Sequence, residues 1–245
     1  MKTLSNSELI TVWERGVCEH PLDRALILLS AYSCESADAL ARLDIASRDT
    51  RLIEMYTHLF GPDLHAFGHC PACKQPLEYT LSANKLLESV PAPNPEAFAV
   101  KSDSFSMQLR LPDTLDLRAL AGCSDHESAL KLLSERCVVE AMLDGAPVEP
   151  GTLSPQMIET VSSALEAANS RAEILLNLNC SACHHAWQVT LDIERFLWAR
   201  LASTAKHLLH EVHTLASAYG WRESDILSLS TARRQAYVEM TCPTF

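Results

Sequence analysis

Apolar positions in the first sixty residues recur at helical spacing. Leu9, Ile10, Val12 and Trp13 follow Ser5-Asn-Ser-Glu8, whose serine and glutamate can satisfy the free backbone groups of a first turn, so a helix is predicted to about Gly16. Pro21 stands where a second helix starts, ahead of Arg24-Ala-Leu-Ile-Leu-Leu-Ser-Ala-Tyr32. A third is predicted from Ser47 to Phe60, with Leu52, Ile53, Tyr56, Leu59 and Phe60 on one face and Gly61-Pro62 as its stop.

The period then changes. Leu77–Leu81 reads as a strand, followed by a short helix near Lys85–Ser89 and the stiff connector Val90-Pro-Ala-Pro-Asn-Pro95. Phe105, Met107, Leu109 and Leu111 alternate with Ser106, Gln108 and Arg110, a half-buried strand that Pro112 ends and that Phe98-Ala-Val100 could join through Lys101–Ser104. Residues 113–142 read as helical, offering Leu130, Leu132, Leu133, Val138 and Met142 to a core. After a loop with Gly145, Pro147, Pro150 and Gly151, Ser154-Pro155 opens a helix to about Ala168, and Ile174, Leu176 and Leu178 supply another strand.

The longest helix is predicted from near Asp192 to about Tyr219, striped by Ile193, Phe196, Leu197, Leu201, Leu208, Val212 and Leu215. Gly220 stops it and Trp221 can fold back on the stripe. Ser224-Asp225-Ile-Leu227 begins a short helix, and Ser230 caps a last one through Arg233, Arg234 and Tyr237. The expected fold class is α+β: helical N- and C-terminal layers around a small antiparallel sheet. Its segments are residues 1–62 (helical), 63–90 (first cysteine half), 91–172 (an inserted hairpin and helices), 173–192 (second cysteine half) and 193–245 (long helix and helical hook).

Composition narrows the class. The chain has 245 residues, 47% of them apolar, and no apolar run of 18, so a folded soluble protein is expected rather than a membrane-spanning or disordered one. Seven glycines and a net charge of −11 favour helix and argue against phosphate-backbone binding, which needs clustered lysine and arginine.

Two short stretches carry the chemistry. Cys70-Pro-Ala-Cys73 and Cys180-Ser-Ala-Cys183 are each followed by an alternating run at an offset of 110: Leu77, Tyr79, Thr80 and Leu81 answer Trp187, Val189, Thr190 and Leu191. Two Cys-x-x-Cys turns supply the four sulfurs of a tetrahedral Zn²⁺ site, so one structural zinc in a split ribbon is expected on Cys70, Cys73, Cys180 and Cys183. Closing so long a loop costs about 4 kcal/mol, against roughly 10–16 kcal/mol for binding structural zinc. Three other readings stay open. Separate redox dithiols would open helices rather than precede strands. Disulfides suit neither the lack of a signal peptide nor an odd total of nine cysteines, which fits a reducing cytosol. Coincidence is the third. Four sulfurs leave no open position for catalysis.

Other candidates are weaker. His207, His210 and His213 recur every three residues beside Glu211 but lack His-Glu-x-x-His spacing, and read as a solvated or core-edge cluster. His69, His184 and His185 adjoin the cysteines as substitute ligands. Trp221, Arg222, Arg233, Arg234 and Tyr237 form the one locally basic, aromatic spot, the kind of composition that interfaces favour, and are the candidate docking surface; solvated arginines over core aromatics are the bland equivalent. No phosphate loop, nucleophile elbow or acid pair stands out.

The run from Leu208 to Tyr237, with its Glu-Val-His, Ala-Tyr-Gly-Trp, Asp-Ile-Leu and Arg-Arg-x-x-Tyr elements in order, resembles the C-terminal signature of baseplate proteins from contractile phage tails and related extracellular injection systems, a group similar to the T-even phage baseplate hub assembly proteins. Pro21 before Arg24-Ala-Leu, Arg48-Asp49, Phe60-Gly-Pro62 and Cys-Pro-x-Cys are similar to the zinc-containing members. The resemblance covers about half the chain, and residues 91–170 add little to it. It departs at Arg222, where a small capping residue is expected, and at His184, where a glycine often follows a knuckle's second cysteine. It implies a non-enzymatic role in building or completing the baseplate hub. The partners would be hub, spike or other tail proteins or a cargo effector, with no nucleic acid or membrane, and the location the cytoplasm or the finished particle. The alternatives are a zinc-ribbon nucleic-acid module and, behind it, a metal hydrolase using the histidine helix.

Overall fold

In the computed structural model, which describes residues 3–89, 97–102, 104–169 and 173–241, the elements run in the following order. Four helices come first: α1 (Asn6–Gly16), α2 (Pro21–Tyr32), α3 (Ala37–Ala41) and α4 (Ile45–Phe60). The hairpin β1 (Asp63–His69) and β2 (Pro76–Ser82) leads to α5 (Ala83–Ser89). A four-stranded region follows, with β3 (Phe98–Lys101), β4 (Phe105–Leu109), α6 (Thr114–Leu120), α7 (His126–Cys137), β5 (Val138–Leu143) and β6 (Ala146–Pro147). Helix α8 (Pro155–Asn169), the hairpin β7 (Leu175–Asn179) and β8 (Ala186–Thr190), and helices α9 (Ile193–Tyr219), α10 (Glu223–Ser228) and α11 (Thr231–Thr241) complete the chain. The class is α+β with small antiparallel sheets. The predicted connector Val90–Pro95 and Cys242 lie outside the described residues.

The chain divides into two compact units, one of Met1–Cys34 with Ile193–Phe245 and one of Glu35–Asp192. In the first, Ser5 and Glu8 form the capping box read from sequence, with the Ser5 amide 2.9 Å from the Glu8 carboxylate. Helix α9 buries Ile193, Leu197, Leu201, Leu208 and Leu215 of the predicted stripe, together with Ala205, while Phe196 and Val212 are half-buried. Gly16 closes α1 against the Trp198 ring. A Cβ there would sit 2.5 Å from the indole, so only glycine admits the tryptophan. Arg24 lies 4.9 Å over the same ring and donates from Nε to the Gly16 carbonyl.

In the second unit, strand order β3-β4-β5-β6 makes one antiparallel sheet. Its inner face, Phe105, Met107, Leu109, Val138 and Ala141, packs on Met157, Val161 and Leu165 of α8, spaced four apart on one helix face. Asp116, fully buried, takes Arg110 at 2.6 and 2.9 Å and Arg136 Nε at 2.7 Å. It also closes a capping box with Asp113.

Three expectations are corrected. Residues 138–142 are strand, not helix. Val138 is β-branched, and β5 completes its hydrogen bonds on β4, with Met107 opposite Ala141. Strand β1 and helix α3 went unread, because β1 alternates only Leu64 with the small Ala66 and Gly68, and α3 is five residues long. Helix α4 starts two residues before Ser47, with Asp44 as its cap, accepting from the Ser47 amide. Among the described residues no helix is long and apolar enough to cross a membrane.

Candidate metal centre

The two Cys-x-x-Cys turns sit at the tips of two hairpins with the same register. In the first, Ala66 pairs Tyr79 and His69 pairs Pro76. In the second, Leu176 pairs Val189 and Asn179 pairs Ala186. Adding 110 to each number of the first hairpin gives the second. The same offset relates the turn bonds from Lys74 N to Cys70 O and from His184 N to Cys180 O, both 2.9 Å. It also relates the starts of α4 and α8, of α5 and α9, and the caps Asp44 and Ser154. The weak repeat seen in sequence is therefore a helix–hairpin–helix repeat in structure.

Each turn is closed alike. Cys70 N donates to Gln75 O at 3.0 Å and Lys74 N to Cys70 O at 2.9 Å; Cys180 N donates to His185 O and His184 N to Cys180 O, both at 2.9 Å. These bonds force the residue after the second cysteine into the left-handed region, Lys74 at φ 61° and His184 at φ 57°, where glycine is at ease and other residues pay. The departure noted at His184 is thus met by strain rather than by a different turn. His185 stacks on Trp187, ring centres 5.9 Å apart.

The hairpins bring the four cysteines together. One sulfur from each lies within 4.8 Å of all the others, and Cys70–Cys183 and Cys73–Cys180 stand at 3.6 Å. Cys70 and Cys180 are buried, Cys73 and Cys183 exposed. Burial pushes the Cys70 thiol up, but the amides of Cys73 and Ala72 and the neighbouring thiols outweigh it and hold it at about 6. The amides of Cys183 and, against burial, of Ala182 lower Cys180 in the same way. At Cys183 the His185 amide lowers the value, yet three neighbouring sulfurs and burial push it up to about 12. Four thiolates cannot share this space without a cation, so the donor set fits a metal ion. Cys137, by contrast, is pushed up to about 12 by burial and is an inert core thiol.

The docking candidates divide. Trp221 packs 4.8 Å from Tyr219 and 4.9 Å from Tyr237, with Arg233 6.0 Å over Tyr237. Arg222 and Arg233 are exposed. Arg234 is corrected: it is only 2% exposed and donates Nε to Glu211 at 2.5 Å and Nη1 to the Leu229 carbonyl at 3.1 Å, so it belongs to the interior of its unit. His207 Nε2 lies 3.3 Å from the other Glu211 oxygen. Arg222 begins α10 with no side-chain cap. Sequence reasoning missed Tyr219 as the third aromatic and Glu211 as the arginine's partner, since no local pattern links residues 23 apart.

Comparison with models of known protein families, with curated proteins and with solved structures finds no match. Charge separates the units: Glu35–Asp192 holds 11 basic and 22 acidic residues, the remainder nine of each. The whole acidic surplus lies in the unit that carries the four cysteines.

Proposed function

We propose that this chain is a non-enzymatic structural or assembly protein of a contractile-tail or injection-system baseplate hub, held together by one structural Zn²⁺ on Cys70, Cys73, Cys180 and Cys183. The observation that carries the reading is the interlocking of the C-terminal signature. Its Glu-Val-His element supplies Glu211, its Arg-Arg-x-x-Tyr element supplies Arg234 and Tyr237, and the first two of these pair inside the unit. Its Ala-Tyr-Gly-Trp element supplies Tyr219 and Trp221, which pack with Tyr237. Its Asp-Ile-Leu element buries Ile226 and Leu227. Residues that the resemblance singles out are here mutual packing partners, which is what a hook fold requires and an active site does not.

Zinc is favoured among metals by the donor set. Sulfurs 2.3 Å from a tetrahedral Zn²⁺ are about 3.8 Å apart, close to the 3.6 Å of the two cross-hairpin pairs. With four protein ligands the ion staples rather than catalyses. The nucleic-acid alternative would need a basic face on a unit with twice as many acidic as basic residues.

Two experiments test the reading. Affinity capture of tagged protein from cells making whole contractile particles is expected to recover hub or spike components, and deletion of the gene to leave particles inactive. Capture of no tail protein together with fully active particles would sink it. For the ion, metal analysis and zinc-edge absorption are expected to give one zinc with four sulfur ligands.

A further inference from the structure

The four sulfurs are not equivalent in access. The solvent-facing ones, Cys73 and Cys183, each stand 3.6 Å from the buried sulfur of the opposite hairpin, Cys180 and Cys70. The repeat exchanges these two contacts: an offset of 110 carries Cys70 to Cys180 and Cys73 to Cys183, so the two pairs occupy equivalent positions of the repeat. In a tetrahedral metal site the sulfurs are spent on the ion. Without it they are two thiol pairs, each with an exposed member open to attack and a buried member poised to resolve it.

We propose that the centre is a convertible clasp: a hydroperoxide expels the metal and joins the hairpins through Cys70–Cys183 and Cys73–Cys180 disulfides. At each pair the exposed sulfur, a thiolate because it ligates the metal, gives its electron pair to the terminal peroxide oxygen. The O–O bond breaks, alkoxide or hydroxide leaves and takes a proton from water, and a sulfenic acid remains. The buried sulfur then attacks the sulfenic sulfur and the S–S bond forms. The sulfenic hydroxyl takes a proton from solvent and departs as water, the buried ligand being a thiolate with no proton of its own. Two hydroperoxides are reduced, two disulfides form and one divalent ion is released per chain.

The pairing decides the outcome. Disulfides within each Cys-x-x-Cys turn would close loops of a few residues and free the hairpins from each other. Cross-hairpin bonds join residues 107 and 113 positions apart, so the long loop between the turns stays closed and the fold outlives its metal. The proposal rests on the sulfur geometry and is independent of the baseplate reading.

The test uses full-length metal-loaded protein with Cys18, Cys34, Cys123 and Cys242 replaced by serine, titrated with hydrogen peroxide in the presence of a colorimetric zinc indicator. Non-reducing peptide mapping is expected to find Cys70 joined to Cys183 and Cys73 to Cys180, with one ion released per two disulfides. Dithiothreitol with added zinc is expected to restore the starting form. The oxidised protein is expected to melt well above reduced, metal-stripped protein. Cys70–Cys73 and Cys180–Cys183 linkages, sulfinic acids without disulfide, or metal retained at stoichiometric peroxide would each overturn it. The Cys73→Ala/Cys180→Ala variant isolates one pair and is expected to form the Cys70–Cys183 bond alone; failure of that bond in folded protein also overturns it.

Discussion

Glu211 of α9 and Arg234 of α11 meet side chain to side chain inside the C-terminal hook, Nε to Oε2 at 2.5 Å, each about 2% exposed. A charge pair this enclosed is costly to split, because removing one member strands the other away from water at about 3–5 kcal/mol. Arg234→Ala and Glu211→Ala are therefore each expected to destabilise the chain by that order in denaturant unfolding. The joint replacement Glu211→Leu/Arg234→Met is expected to cost less than either single change. A surface-type loss below about 1 kcal/mol for Arg234→Ala would place the arginine outside the core.

If both hairpins hold one ion, neither turn binds it alone. Cys70→Ser and Cys180→Ser are expected to lose the metal completely and lower the melting temperature alike. Retention of half an equivalent in either variant would mean two separate sites.

Lys74 and His184 occupy the left-handed region at matched positions. Replacing His184 with glycine relieves that strain and is expected to raise stability by about 0.5–1 kcal/mol with metal stoichiometry unchanged. Thermal melting of metal-loaded His184→Gly and Lys74→Gly reads the effect, and a drop in either would mean that the side chain matters more than the backbone.

Gly16 offers its missing side chain to Trp198. A Cβ would meet the ring at 2.5 and 2.7 Å, so Gly16→Ala is expected to cost about 1–3 kcal/mol although alanine is the better helix former. The cost is expected to shrink in a Trp198→Leu background. An additive double-mutant cycle would contradict the contact.

Burial alone would raise the Asp116 carboxyl, but Arg110, the Asp113 amide and Arg136 outweigh it and hold it below 3.8. A depressed folded value contributes stability that is full above the unfolded pKa of about 3.9 and drains away as pH falls through the folded one. Stability is therefore expected to decline as pH drops below about 3.8, and Asp116→Asn is expected to flatten that part of the profile while lowering stability at neutral pH. An acid limb unchanged in Asp116→Asn would assign it elsewhere.

Short-range information was legible in the sequence by itself. The capping box at Ser5, the stripe on α9, the glycine stop at Gly220 and the two Cys-x-x-Cys turns follow from spacings of a few residues, because caps, helical faces and tight turns are satisfied by neighbours in the chain. Strand β1 was hidden because small residues fill its inner face. Residues 138–142 read as helix because their partner β4 lies some thirty residues away, and the hydrogen bonds that make a strand belong to the pair. Tertiary structure alone decided that both turns reach one centre, that the repeat extends from the cysteines through hairpin register to the flanking helices, and that Arg234 turns inward to Glu211. Those outcomes depend on which distant groups can satisfy one another once water is excluded, a condition that no local pattern of residues encodes.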